Sequence, residues 1–230
     1  MSNKVCVGIH AENSEEMLKK LQELNRDHDF FELRFDSMTH LNQIQITSVL
    51  EAVDSDVIAT IRSEKEGGNF KGNLDEQAKL VEACIEAGAD YVDAELTLLE
   101  HSTELIKKLD PHKTLVSYHD FAATPPDAEL NRIVKRMEKL MPQAIYKIAC
   151  MARSMNDVVR LTEFLKTMPK GRAVIIAMSE KVQLLRLLAP GLGAYTTFAS
   201  ASTSPNTLGQ MYYKTMKQLI NAMEVTDGGK

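Results

Sequence analysis

The sequence contains no run of 18 apolar residues and no charged-then-apolar leader at its start. Such a chain offers no membrane span or secretory signal, so a single cytoplasmic domain is expected. Cysteine is scarce: Cys6, Cys84 and Cys150 are odd in number and widely spaced. They build neither a disulfide framework nor a CxxC motif, and buried reduced thiols are expected. Positive charge is not in excess either. The formal net charge of −5 provides no basic face for nucleic acid, although basic residues gathered in one pocket would still hold a small anion. The HxH and HExxH spacings of a mononuclear metal site are missing, as are the Walker loop and the G-x-S-x-G elbow. No metal site is therefore expected.

What is present is alternation. Short β-rich runs begin at Lys4, Phe31, Val57, Tyr91, Thr114, Ile145, Ala173 and Ala194, and each is followed by a helical pattern. Ser14 is placed to cap a helix ending near Leu24, and Asn73 to cap one that Gly88 stops. Asp127–Met141, Ser154–Met168 and Leu208–Met223 read as further helices, with shorter ones near Leu41–Ala52, Ser102–Leu109 and Lys181–Leu188. Eight β–α pairs recurring at roughly 25–30 residues imply parallel strands joined by crossover helices. A (β/α)₈ TIM barrel fits that count, and 230 residues are ordinary for one. The rival, an open doubly wound sheet, normally has a glycine-rich first β–α turn, and here that turn, GIHAENS, has one glycine. Residues 1–225 are read as one barrel domain and residues 226–230 as a disordered tail.

Strands of a parallel barrel are buried on both faces, so charge inside them is costly. Here it recurs at period two. Glu32 shares a face with Arg34, Thr60 with Arg62, and Asp93 with Glu95, while His119 ends the fifth strand and Lys147 lies within IYKIA. These faces converge on the barrel axis near the C-terminal mouth. A structural ion-pair network is the alternative, but paired buried charges stabilise less well than apolar packing.

Lys147, between apolar neighbours, is suited to lose its proton and add to a carbonyl as a Schiff base. The plainer alternative is a lysine that pairs with Glu32 or Glu95 to close the barrel. His119, one strand before it, is placed to move a proton α to an imine, and Glu66 in the loop after the third strand is placed to orient that imidazole. His10 is a candidate for the mouth. His28, His40, His101 and His112 read as solvated.

At these residues the sequence resembles the type I 3-dehydroquinate dehydratases of the shikimate pathway. The matching pieces are ELRFD at Glu32, ATIRSEKEGG at Ala59, YVDAEL at Tyr91, SYHDF at Ser117 and YKIACMA at Tyr146, then the arginine of LLRLLAP and the GQ of TLGQM. The resemblance implies a homodimeric barrel lyase of aromatic amino-acid biosynthesis that needs no cofactor and dehydrates 3-dehydroquinate to 3-dehydroshikimate. By motif, Lys147 forms the imine, His119 transfers the proton and Glu66 orients it. Glu32, Arg34 and Arg62 are similar to residues that contact the substrate, Arg186 to the one that pairs its carboxylate, and Gln210 to the glutamine of a closing loop. That loop departs from the family pattern, and its serine is Ser204, with Ser202 and Asn206 as alternatives. A class I aldolase, which also uses a barrel lysine, would want glycine-rich phosphate loops, and SEKVQ has no glycine. A non-catalytic barrel that binds a carboxylate is the third reading.

Overall fold

A computed structural model describes residues 5–25, 28, 30–179, 183–203 and 210–223. Eight strands run β1 Val5–His10, β2 Phe30–Arg34, β3 Asp56–Thr60, β4 Tyr91–Glu95, β5 Thr114–Asp120, β6 Ile145–Met151, β7 Ala173–Met178 and β8 Thr197–Ser200. The helices are α1 Ser14–Leu24, α2 Gln43–Leu50, α3 Leu74–Glu86, α4 Leu96–His101, α5 Thr103–Lys108, α6 Asp127–Leu140, α7 Met155–Thr167, α8 Leu184–Leu188 and α9 Tyr213–Met223. All the strand pairs are parallel, in the order β7-β6-β5-β4-β3-β2-β1-β8. The expected TIM barrel is the observed fold, and it is nearly closed. Among the described residues no ladder joins β7 to β8. Two backbone bonds hold that seam at its lower end, Gly171 N–H to Gly193 C=O and Tyr195 N–H to Ala173 C=O, both at 2.8 Å.

Local chemistry accounts for the element ends. Asn73 and Glu76 form a reciprocal capping box at the start of α3, which satisfies two otherwise unpaired N–H groups. Beyond its end Gly88 takes φ 84°, the left-handed conformation that glycine adopts without steric cost. The start of α1 differs from expectation: Asn13, not Ser14, is the cap, its Oδ1 accepting from Glu16 N–H at 2.9 Å. Helix α4 was not expected at all. Its Leu96, Leu98 and Leu99 are fully buried, a cluster that six residues show too briefly for helical period to be read.

The inner face of each strand changes character along its length. The barrel floor is apolar, built from Cys6, Phe30, Ile58, Leu115, Ile145 and Val174 with Tyr91 and Tyr195 packed against them. Two residues further up, on the same faces by the period of a strand, stand Glu32, Thr60, Asp93, Ser117 and Lys147, all buried. The outer faces pack on the helices through a second, larger core that includes Phe31, Leu33, Tyr146 and Ile148. A polar layer is thus set on a rigid apolar base at the end of the barrel where the β–α loops gather.

Candidate active site

A cavity of about 510 Å³ opens at that end, lined among others by His10, Glu32, Arg34, Arg62, Glu66 and His119, with Lys147, Arg186, Phe198 and Gln210 on its other side. Every site residue expected from the sequence reaches it except Ser204, which, like its alternative Asn206, lies outside the described residues. Ser202 is described and does not line this cavity.

Lys147 is 4% exposed. Its Nζ donates to Glu32 Oε1 at 2.8 Å and Asp93 Oδ2 at 2.9 Å, and it sits 4.3 Å from the centre of the Phe198 ring. The lysine is therefore not stripped of polar partners, as its strand neighbours alone imply. Of the two carboxylates proposed for it from sequence, Glu32 is a partner and Glu95 is not. Glu95 instead accepts from the backbone and hydroxyl of Ser63, both at 2.8 Å, and from Arg62 at 3.2 Å.

Arg62 is the hub of the layer. Its Nη1 donates to Ser117 Oγ at 2.8 Å and lies 3.6 Å from Glu66, while Nη2 is 2.7 Å from Asp93 Oδ1. That last contact is an ion pair between two buried side chains. Burial works against the charge of Arg62, but Asp93, Glu95 and Glu66 together keep it charged. Asp93 likewise pays for burial and is held ionised by Arg62 and Lys147, well below the usual carboxylate range. Glu32 is lowered too, with Lys147 and Arg34 outweighing its burial.

His119 Nδ1 is 2.8 Å from Glu66 Oε2, the pairing expected from sequence. Burial, then the nearby Arg62 and Lys147 charges, depress the imidazole well below its ordinary value, so it is neutral at pH 7. Burial pushes the Glu66 carboxyl up to about 8 despite Arg62. Glu66 is held by a short 3₁₀ turn, Glu64–Glu66, closed by Gly67 at φ 77°. A Cβ on Gly67 would stand 2.2 Å from the Phe121 ring, so a glycine lets that ring lie over the turn and line the cavity.

Arg34 reaches the cavity with part of its fork already engaged: Nε and Nη2 donate to the two oxygens of Asp36, each at 2.8 Å. Asp36 also accepts from Asn69 N–H at 3.1 Å. Sequence reasoning missed Asp36, although it stands two residues after Arg34 in ELRFD. Arg186 is different. It is 3% exposed, its Nη1 donates to Phe198 C=O at 3.2 Å, its Nε has no partner, and no carboxylate among the described residues forms an ion pair with it. Burial lowers it from 12.5 to about 10. One guanidinium is thus left for an anion to satisfy.

One expectation outside the cavity is overturned. His28 is not solvated but 6% exposed, with Nε2 2.8 Å from Phe30 C=O and its ring packed on Phe31 and Tyr213. The three cysteines are free and buried, as expected.

Residues 5–227 match the model of the family described as Type I 3-dehydroquinase. The chain belongs to that family. As a type I 3-dehydroquinase it is an enzyme of the dehydratase class. A protein named 3-dehydroquinate dehydratase from Methanocaldococcus jannaschii is 32% identical over 225 residues, which cover 96% of this chain and 99% of that one. One of the same name from Dehalococcoides mccartyi is 34% identical over 218 residues, 94% of this chain and 92% of the relative. Among solved structures, the type I 3-dehydroquinate dehydratase from Clostridium difficile with covalently modified comenic acid is 28% identical, with a TM-score of 0.82 over 96% of this chain and 91% of that one. The Geobacillus kaustophilus 3-dehydroquinate dehydratase superposes with a TM-score of 0.85 over 99% of this chain and 93% of its own at 22% identity, a likeness of fold. No helix among the described residues of this dehydroquinase is long and apolar enough to cross a membrane.

Proposed function

We propose that this chain dehydrates 3-dehydroquinate through an imine on Lys147, with His119 as the acid–base group. The observation that carries the reading is one buried lysine and one neutral histidine, oriented by Glu66, facing a single cavity whose wall holds a guanidinium with no carboxylate partner among the described residues.

A β-hydroxyketone eliminates water poorly, because the enolate is high in energy and hydroxide is a poor leaving group. Condensation with Lys147 converts the ketone to an iminium that withdraws electrons from the adjacent C–H. Neutral His119 accepts that proton at Nε2 once Glu66 has given up its own and takes the Nδ1–H bond as a carboxylate, an enamine forms, and the same proton returns to the departing hydroxyl as water. Hydrolysis of the product imine restores the lysine. Positioned proton transfer of this kind contributes roughly 10²–10⁴ in rate. Arg186 provides the planar fork that suits a carboxylate. Glu32, Arg62 and the free Nη1 of Arg34 are the groups placed to meet ring hydroxyls, and Gln210 adds a contact at the mouth. The sequence-based assignment of Ser204 to the closing loop belongs to the same reading.

The test is chemical trapping. Borohydride reduction in the presence of 3-dehydroquinate should add the mass of the reduced adduct to the peptide that contains Lys147 and to no other lysine. Trapping on Lys113 or Lys181, or none at all, refutes the assignment.

A further inference from the structure

The two carboxylates on Lys147 are not equivalent. Glu32 lines the cavity and accepts additionally from Thr60 Oγ1 at 3.1 Å. Asp93 does not line it. Its side chain is wholly buried, its Oδ1 accepts from Ser117 at 2.6 Å and faces Arg62 at 2.7 Å, and only Oδ2 is turned to Lys147. Arg62 is itself fixed by Glu95, so Asp93 is wedged between two cations on the side of the lysine away from the ligand.

Imine formation changes how many donors the nitrogen carries. An ammonium and a ketone give an iminium and water. The two protons lost from nitrogen leave with the carbonyl oxygen, and the positive charge is conserved. Three N–H groups become one, so only one of the two carboxylates keeps a proton from Nζ.

We infer that Asp93 keeps the single N–H of the iminium and stays its counter-ion throughout the reaction, while Glu32 is the carboxylate released to the ligand. The inference rests on the Schiff-base reading above. Its physical basis is where each carboxylate finds a replacement donor. Glu32 has an open cavity face, on which a ligand hydroxyl or water can donate. Oδ2 of Asp93 faces no cavity, and a buried acceptor that loses its donor bears the full desolvation penalty. Ser117 and Arg62 keep Asp93 from rotating to find another. Asp93 therefore neutralises the iminium where it persists, and Glu32 exchanges partners as the ring is bound and released.

The charged and titratable groups around Nζ are Glu32 on β2, Arg62 beyond β3, Asp93 on β4, His119 on β5, Cys6 on β1 and Arg186 on α8. Of these, Asp93 alone is a carboxylate on Nζ that the ligand cannot reach. Cyanoborohydride reduces an iminium and not a neutral imine, so the Lys147 adduct trapped from 3-dehydroquinate can be followed by mass spectrometry across pH. Asp93→Asn should lower the pH at which trapping falls to half by about 1–2 units, the size of a lost opposite charge at contact distance. Glu32→Gln should raise the substrate concentration needed for trapping and move that midpoint less. Should Asp93→Asn fail to fold, Ser117→Ala, which loosens Asp93 and removes one acceptor from Arg62, should move the midpoint the same way by a smaller amount. An unmoved midpoint in the variant that folds, or a larger shift in Glu32→Gln than in Asp93→Asn, overturns the inference. Absence of a Lys147 adduct in the unmodified protein at every pH overturns the Schiff-base reading itself.

Discussion

Replacing Arg186 with methionine should stabilise the empty protein and cripple its affinity for a carboxylate. The side chain keeps comparable length and loses its charge. In the fold the guanidinium falls from 12.5 to about 10 through burial, a penalty on the charged form on the order of 3 kcal/mol. The sign follows from a cation whose folded value is depressed. The penalty is fully present at neutral pH and is relieved only as pH rises through about 10. Methionine removes it and forfeits the hydrogen bond to Phe198 C=O, a net loss of about 1 kcal/mol. A gain of about 1–2 kcal/mol remains, which at this chain length corresponds to roughly 2–8 °C in Tm. Binding moves the other way. Loss of a charge-assisted contact of about 1.5–3 kcal/mol weakens a carboxylate ligand roughly 10- to 150-fold. Thermal melting of both proteins, with and without 3-dehydroquinate, measures the two effects in one experiment. If Arg186→Met melts below the parent without ligand, or gains as much from the ligand as the parent does, Arg186 is not an anion-binding group held at a cost in stability.

Lys147→Ala should fold and give no reducible adduct, read by mass spectrometry after borohydride. His119→Ala should still form the adduct while turnover falls by ~10²–10⁴, and a fall of less than tenfold assigns the proton transfer elsewhere. Glu66, raised to about 8, contributes stability that is complete below the ordinary carboxylate value of 4.5 and is lost as pH rises through about 8. Glu66→Gln should flatten that decline in melting curves taken from pH 5 to 9, and an unchanged slope would show that Glu66 ionises freely. Gly67→Ala, at φ 77° and against the Phe121 ring, should cost about 1–2 kcal/mol from the left-handed backbone alone, and an equal denaturation midpoint would mean the turn relaxes.

The barrel was legible because parallel strands must be apolar on both faces, so any charge at period two stands out. β5 and β7 occupy the residues read for them, and the inward set Glu32, Arg62, His119 and Lys147 was identified on that ground alone. A residue whose polarity is ordinary in a strand was not singled out: Ser117 sits in the same layer as Thr60, but a buried hydroxyl costs little enough to carry no signal. Ser117 was still reachable, since it is two residues before His119 and so on its face. His28 was misread because part of what covers it is remote. Tyr213 lies on the last helix, and nothing within RDHDFF marks a buried ring. The pairing of Glu95 with Ser63 rather than Lys147 is also a matter of height along the axis. The register sets Asp93 opposite Thr60, one layer below Glu95, and height follows from stagger that periodicity does not encode.

The seam between β7 and β8 gives the barrel the mechanics of a split ring. Seven ladders fix the spacing of their strands, whereas this last pair is tied at its lower end by two backbone bonds and near the mouth by Arg186 reaching Phe198. A ring cut at one place changes circumference only there. In the proposed reading, a carboxylate held by Arg186 loads this last pair of strands rather than the seven laddered pairs that carry the polar layer on β2 to β6.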